Sequence, residues 1–195
     1  LYAVLDASRD GGIVEKLCAM RPEFDSLYRG RADQTLWEVA PYLVRLDKES
    51  EFCRWLFEEG WGKAWGVFAV ASADLTTLHR HFRRFLMVKG PKGENLYFRY
   101  YDPRILRDYL PTCNRQEMAT IFGPVASFLM EGADPSVVMR MAPGPIEVLA
   151  QSFGPDDVPG AIPNVEPKGA DREIVAAAPP AESKHETKVD TDTLS

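Results

Sequence analysis

Hydrophobic positions before Phe153 switch repeatedly between short continuous runs and a helical period. "LYAVLD" at the start is an apolar run of strand length, whereas Ile13, Val14, Leu17 and Met20 in "GIVEKLCAM" recur at helical spacing. The same order returns with "APYLVRLD" (40–47) and "SEFCRWLFEEG", where Ser50 is placed to cap a helix, Phe52, Trp55 and Leu56 to bury it, and Gly60 to end it. "AWGVFAVA" (64–71) is apolar without alternation, the mark of a strand covered on both faces. Ser72 is then the expected cap of "ADLTTLHRHFRRFL", whose Leu75, Leu78, Phe82, Phe85 and Leu86 form one stripe. "LMVK" and "LYFRYY" flank the Gly- and Pro-containing loop "GPKGEN" and predict a hairpin. Strands alternating with helices and closed by a hairpin predict an α/β domain with a mixed sheet and flanking helices.

"NLYFRYYDPRIL" (95–106) concentrates aromatic and charged residues and looks at first like a site. Leu96, Phe98 and Tyr100 alternate with Tyr97, Arg99 and Tyr101, which predicts a strand with two unlike faces. Asp102 followed by Pro103 is a helix start: the carboxylate accepts from the first free N–H groups, and proline occupies a position where no donor is needed. Asp102→Ala is then expected to lose about 1 kcal/mol as a lost cap.

Composition sets the outer limits. The 195 residues are 45% hydrophobic, enough for one core with a satellite lobe. The formal charge of −6 is uneven, because residues 154–195 carry nine Asp and Glu against four Lys and Arg and leave the remainder at −1. A near-neutral body argues against a broad nucleic-acid footprint. Six of the fifteen prolines and no aromatic residue follow Phe153, so 154–195 reads as a flexible acidic tail with brief contacts through "AIPNV". Cys18, Cys53 and Cys113 form no close pair and read as reduced thiols. No apolar run of about 18 residues is present to span a bilayer, and no signal peptide is visible.

Specific chemistry is sparse. His79 and His81 stand two apart on a helix and face different ways, so a metal site is not expected. Arg80, Arg83 and Arg84 on the same helix read as a solvated face that complements its dipole, or as a basic strip for an acidic partner or phosphate. Trp61 and Trp65, among the glycines of "EEGWGKAWGVF", are either buried rings or exposed anchors for an interface; Trp37 and Trp55 read as core. No nucleophile elbow, phosphate loop or zinc-protease motif occurs, and nothing brings any two of Asp6, Asp10, Asp47, Glu58 and Glu59 to a catalytic separation. No catalytic residue and no cofactor is therefore expected.

"LYAVLDASRD", "APYLVRLD", "FCRWLFEEGWGKAWGVF", "LHRHFRRFLMVK", "LYFRYYDPRILRDYLP" and "FGPVASFLME" together resemble, in order and spacing, the bacterial type VI secretion effector-adaptor family, the domain of unknown function numbered 4123. The resemblance covers about residues 1–131. It implies an adaptor α/β domain over 1–131, a variable C-terminal extension or small lobe over 132–153, and the acidic tail over 154–195. It further implies a non-enzymatic chaperone that binds a toxic effector in the bacterial cytoplasm and loads it onto the valine-glycine repeat spike protein, without nucleic acid or membrane. The residues expected to contribute to a partner surface are Trp61, Trp65, Arg80, Arg84, Tyr97, Arg99, Tyr101 and Arg104. The competing reading is a small α/β transferase or hydrolase with scattered carboxylates and arginines; a weaker one is nucleic-acid binding through the helix of His79 to Arg84.

Overall fold

The computed structural model describes residues 1–30 and 35–154; the acidic tail, including "AIPNV", lies outside the described residues apart from Gly154. A seven-stranded sheet has the order β2-β3-β1-β4-β7-β8-β9, and a separate two-stranded ribbon pairs β5 with β6. The strands are β1 (Tyr2–Asp6), β2 (Phe24–Ser26), β3 (Pro41–Arg45), β4 (Gly66–Ala71), β5 (Met87–Lys89), β6 (Asn95–Tyr97), β7 (Val125–Glu131), β8 (Val138–Pro143) and β9 (Val148–Phe153). The helices are α1 (Gly12–Met20), α2 (Glu51–Gly60), α3 (Leu75–Arg83), α4 (Pro103–Tyr109) and α5 (Arg115–Phe122).

The α/β class stands as expected, but every neighbouring strand pair is antiparallel, so the sheet is not mixed. The reason is where the crossover lands. β3 and β4, joined through α2, run in the same direction, yet β1 fills the slot between them and pairs antiparallel with both. Residues 132–153 supply β8 and β9, which lengthen this same sheet beyond β7.

The sheet is buried on two faces. Ala3, Leu5, Tyr42 and Val44 pack with Ile13, Val14 and Leu17 of α1 and Phe52 and Leu56 of α2. On the opposite face Val4, Leu43, Val67, Phe128 and Met130 pack with Leu78 and Phe82 of α3, Leu106 of α4, and Ile121 and Phe122 of α5. β1 is therefore apolar at consecutive positions, as a doubly covered strand must be. Gly66 permits the close pairing of β4 with β1, since a Cβ there would stand 2.2 Å from the Val4 carbonyl oxygen.

Local expectations fare differently. Ser50 and Asp102 cap α2 and α4, their side chains accepting from Cys53 N and Arg104 N. The cap of α3 is Asp74, not Ser72, and accepts from Thr77 N. The strand expected through Tyr101 ends at Tyr97, because the chain turns there and Phe98, Tyr100 and Tyr101 all enter the core. Trp37 is 46% exposed, in a 3-10 turn held by its carbonyl to the Tyr42 hydroxyl, and not in the core; Trp55 is half-buried against Phe52 and Trp65. All three thiols are free, and burial pushes that of Cys113 up to about 11.

Candidate interaction site

The turn after β1 and the segment between β6 and α4, more than ninety residues apart in the chain, meet in a cluster of three arginines and two aspartates. β1 delivers Asp6 and the following 3-10 turn delivers Arg9, while Asp102 is fixed as the cap of α4. Asp6 and Asp102 are 1% and 3% exposed. Such carboxylates require hydrogen-bonded counter-charge to stay ionised. Asp6 accepts from Ser8 N at 3.1 Å, Ser8 Oγ at 2.6 Å and Arg99 Nη2. Asp102 accepts from Arg104 N and Nε, both at 3.0 Å, from Arg104 Nη2 at 2.7 Å, and from Arg9 Nη2.

Burial by itself would raise the Asp102 carboxyl above its ordinary range; the Arg104 hydrogen bonds and the charges of Arg104 and Arg9 outweigh it and hold the group below. Burial likewise works against the Arg99 charge, and the Asp6 hydrogen bond overcomes it. Three guanidinium groups against two carboxylates leave one positive charge in excess. The donors are not used up either: Arg9 Nε and Arg99 Nε are buried without a hydrogen-bond acceptor, although Arg9 Nε comes within 3.4 Å of Asp6 Oδ2. The side chain of Arg104 is 57% exposed, so the cluster opens to solvent on its side. Behind Arg99 runs a chain of phenols, Tyr28 to Tyr97 at 2.8 Å and Tyr97 to Tyr101 at 3.1 Å. Burial pushes the Tyr97 and Tyr101 hydroxyls well up, so both stay protonated.

Of the residues singled out from sequence, the fold brings Tyr97, Arg99, Tyr101 and Arg104 together and leaves the other four apart. Tyr101 is 2% exposed and offers its guanidinium-facing ring to Arg99, not to a partner. Trp65 is 5% exposed, packed against Trp55 and beneath Lys63, because the left-handed turn at Gly62 and Ala64 folds it under α2. Trp61 is half-buried in an aromatic shelf, stacked near Phe57 and Phe68, with its Nε1 donating to the Pro135 carbonyl at 2.6 Å. Arg80 on α3 and Arg84, its C-cap, are exposed, and Arg84 also donates to His81 Nδ1 at 2.9 Å. His79 and His81 are both buried, against Ser26 O and Ile121 O respectively, so each ring sits on a different neighbour as their spacing predicts. Among the described residues no group of three or more His, Cys, Asp and Glu is arranged to hold a metal ion.

Asp6, Ser8 and Arg9 were not singled out as partners of the "RYYDPR" stretch. The available signal was compositional: "DASR" and "RYYDPR" both carry an aspartate and arginine, charges that a buried location must pair.

Both arms of the cluster fall inside residues 1–120, the part of the chain matched by the model of one family, a domain of unknown function designated DUF4123. The chain belongs to this family. DUF4123 is associated with type VI secretion, and its match runs from β1 into α5 and so includes every residue of the arginine cluster and of α3. No curated protein and no solved structure matches the chain. Among the described residues of this DUF4123 chain, no helix is long and apolar enough to cross a membrane.

Proposed function

We propose that this protein is a non-enzymatic adaptor that binds a type VI secretion effector in the bacterial cytoplasm and helps load it onto the valine-glycine repeat spike protein. The observation that carries this reading is membership of the DUF4123 family over residues 1–120. The surface chemistry suits protein contacts: exposed arginines at 80, 84 and 104 and the half-buried Trp61, beside the exposed Phe57 ring, supply residue types that dominate binding energy at interfaces. Two partners call for two such surfaces, each burying on the order of 1,200–2,000 Å² in total.

Co-expression with the toxin and spike encoded beside its gene, followed by size-exclusion chromatography with light scattering, tests the proposal. A stoichiometric complex with either partner is the expected result. Elution of the chain alone, with both partners folded, overturns it and directs attention to a substrate screen. Arg80→Glu with Arg84→Glu then asks whether the α3 face takes part: a complex that survives this change with its affinity intact removes that face from the interface.

A further inference from the structure

The two edges of the seven-stranded sheet are built differently. β2 is three residues long, and its central Asp25 is half-exposed within 3.9 Å of Arg29, the short charged edge that keeps other strands away. β9 is six residues long, reads "VLAQSF" without a charge, a glycine or a proline, and pairs with β8 without a bulge. An edge of that kind pairs with another strand unless something blocks it.

Hydrogen bonding fixes which groups point outward. Gly144 N donates to the Glu147 carbonyl at 2.9 Å, which makes these two a hydrogen-bonded pair, and such pairs alternate along an antiparallel ladder. Ala142–Leu149, Arg140–Gln151 and Val138–Phe153 therefore bond across the hairpin, while Val148, Ala150 and Ser152 turn N–H and C=O away from β8. The far side of β8 agrees. Gly132 N donates to the Val137 carbonyl at 2.8 Å, so by the same alternation Met139 and Met141 bond to β7. Among the described residues no strand lies beyond β9, and no backbone bond from a loop reaches Val148, Ala150 or Ser152.

We propose that β9 pairs antiparallel with β9 of a second copy about a two-fold axis at Ala150. This register sets Val148 against the second copy's Ser152 and Ala150 against its counterpart, so every outward N–H and C=O gains a partner. Side chains fit it, since Val148 and Ala150 already pack against the core, Ala150 at the axis is small, and Ser152 is exposed. Charge fits it too. No charged residue lies in the paired strands, and residues 1–153 carry a formal charge of only −1. The acidic stretches that follow begin at Phe153 of each copy, about 20 Å apart and beyond the screening length of about 8 Å. β9 is itself the uncharged extended strand that this edge calls for, which singles out a second copy. Six residues a side make a small interface, so the dimer is reversible. The inference does not rest on the adaptor reading, because it concerns the chain alone.

The test is sedimentation of the full-length chain from about 1 μM to about 1 mM, with amide hydrogen exchange measured at both ends of that range. The expected mass rises toward twice that of the monomer. The N–H groups of Val148, Ala150 and Ser152 should exchange more slowly at high concentration, while those of Leu149, Gln151 and Phe153, bonded to β8, change less. Ser152→Pro removes an outward donor and leaves the β8 bonds in place, so it should weaken self-association by at least about tenfold with an unchanged far-UV spectrum. Exchange in the unsubstituted chain decides the matter if that variant misfolds. A monomer mass throughout overturns the proposal, as does a dimer that a folded Ser152→Pro chain forms equally well. Slow exchange of the three amides in a monomer, unchanged on dilution, also overturns it and assigns the edge to the chain's own residues.

Discussion

Two buried carboxylates near the same end of the sheet are handled in opposite ways. Asp102, in the arginine cluster, is paired with Arg104 and Arg9 and held below its ordinary range. Glu131, at the end of β7, is 7% exposed and accepts hydrogen bonds only from backbone donors, Gly62 N at 2.9 Å and Ala64 N at 3.2 Å; burial raises its carboxyl, with those N–H groups and, less, the Arg107 charge opposing. Dipoles can orient a carboxylate without matching the stabilisation that full counter-charges give it in a poorly solvated place. The pair therefore separates a cluster that depends on ionisation from a turn that depends mainly on geometry. The first lies where charge can be read from outside; the second fixes the turn that aims Trp61 and Trp65.

The largest effect is expected at Asp102. Asp102→Ala removes the α4 cap and leaves Arg9 and Arg104 without their acceptor, so the loss should be about 3 kcal/mol, well beyond the 1 kcal/mol of a cap alone. Urea unfolding measures it, and a loss near 1 kcal/mol would mean that the guanidinium groups reach water at no penalty. His81 extends the contrast to a buried base. Its Nε2 donates to Ile121 O at 2.9 Å and its Nδ1 accepts from Arg84, an arrangement only the neutral ring can satisfy. Burial, aided by the Arg84 charge and opposed by the Ile121 carbonyl, lowers its pKa, so the native state binds fewer protons than the unfolded one. Stability from His81 is present above the unfolded value of about 6.5 and is lost as pH falls below it toward the folded value. His81→Ala should lower stability by about 2 kcal/mol at pH 8 and flatten the slope between pH 7 and 5.

Arg104→Ala should do less, about 0.5–1 kcal/mol, because its side chain is 57% exposed and Arg9 still faces Asp102. Chemical denaturation at low and high salt checks it: the difference from wild type should shrink with salt, and a loss equal to that of Asp102→Ala would show that Arg104 alone holds the aspartate.

How far the sequence revealed this contrast depends on chain distance. Caps were legible where the group and its helix are adjacent, as at Ser50 and Asp102, and the α3 stripe was legible because Leu78 and Phe82 recur at one period. The α5 capping box of Asn114 and Glu117 has a local signature too, Asn followed three residues later by Glu. The sheet direction was not legible, since placing β1 between β3 and β4 depends on non-local pairing. Nor was the cluster, whose Arg9–Asp102 and Arg99–Asp6 bonds each join residues 93 apart. Trp37 misled for a related reason: an aromatic ring carries the same apolar signal whether its turn faces the core or, as here, solvent.

The smallest effect, and the finest test of the contrast, is at Glu131. Glu131→Gln keeps an oxygen to accept from Gly62 and Ala64 while removing the charge, so stability at pH 7 should change by no more than about 1 kcal/mol. Its pH dependence has the opposite sign to that of Asp102. With the folded pKa raised, the native state binds more protons than the unfolded one from about pH 4.5 upward, and this group's contribution weakens as pH rises through that window. Asp102 contributes fully above about 3.8 and loses its contribution only as pH falls through its lowered folded value. His81 contributes with the reverse slope as pH falls from about 6.5, so the wild-type curve carries both groups. Adding Glu131→Gln to His81→Ala isolates the carboxylate: as pH rises above about 4.5 the single His81 variant should lose stability relative to the double. Parallel curves would show that the two backbone N–H groups stabilise the charge as well as arginines do, and the distinction between cluster and turn would fall.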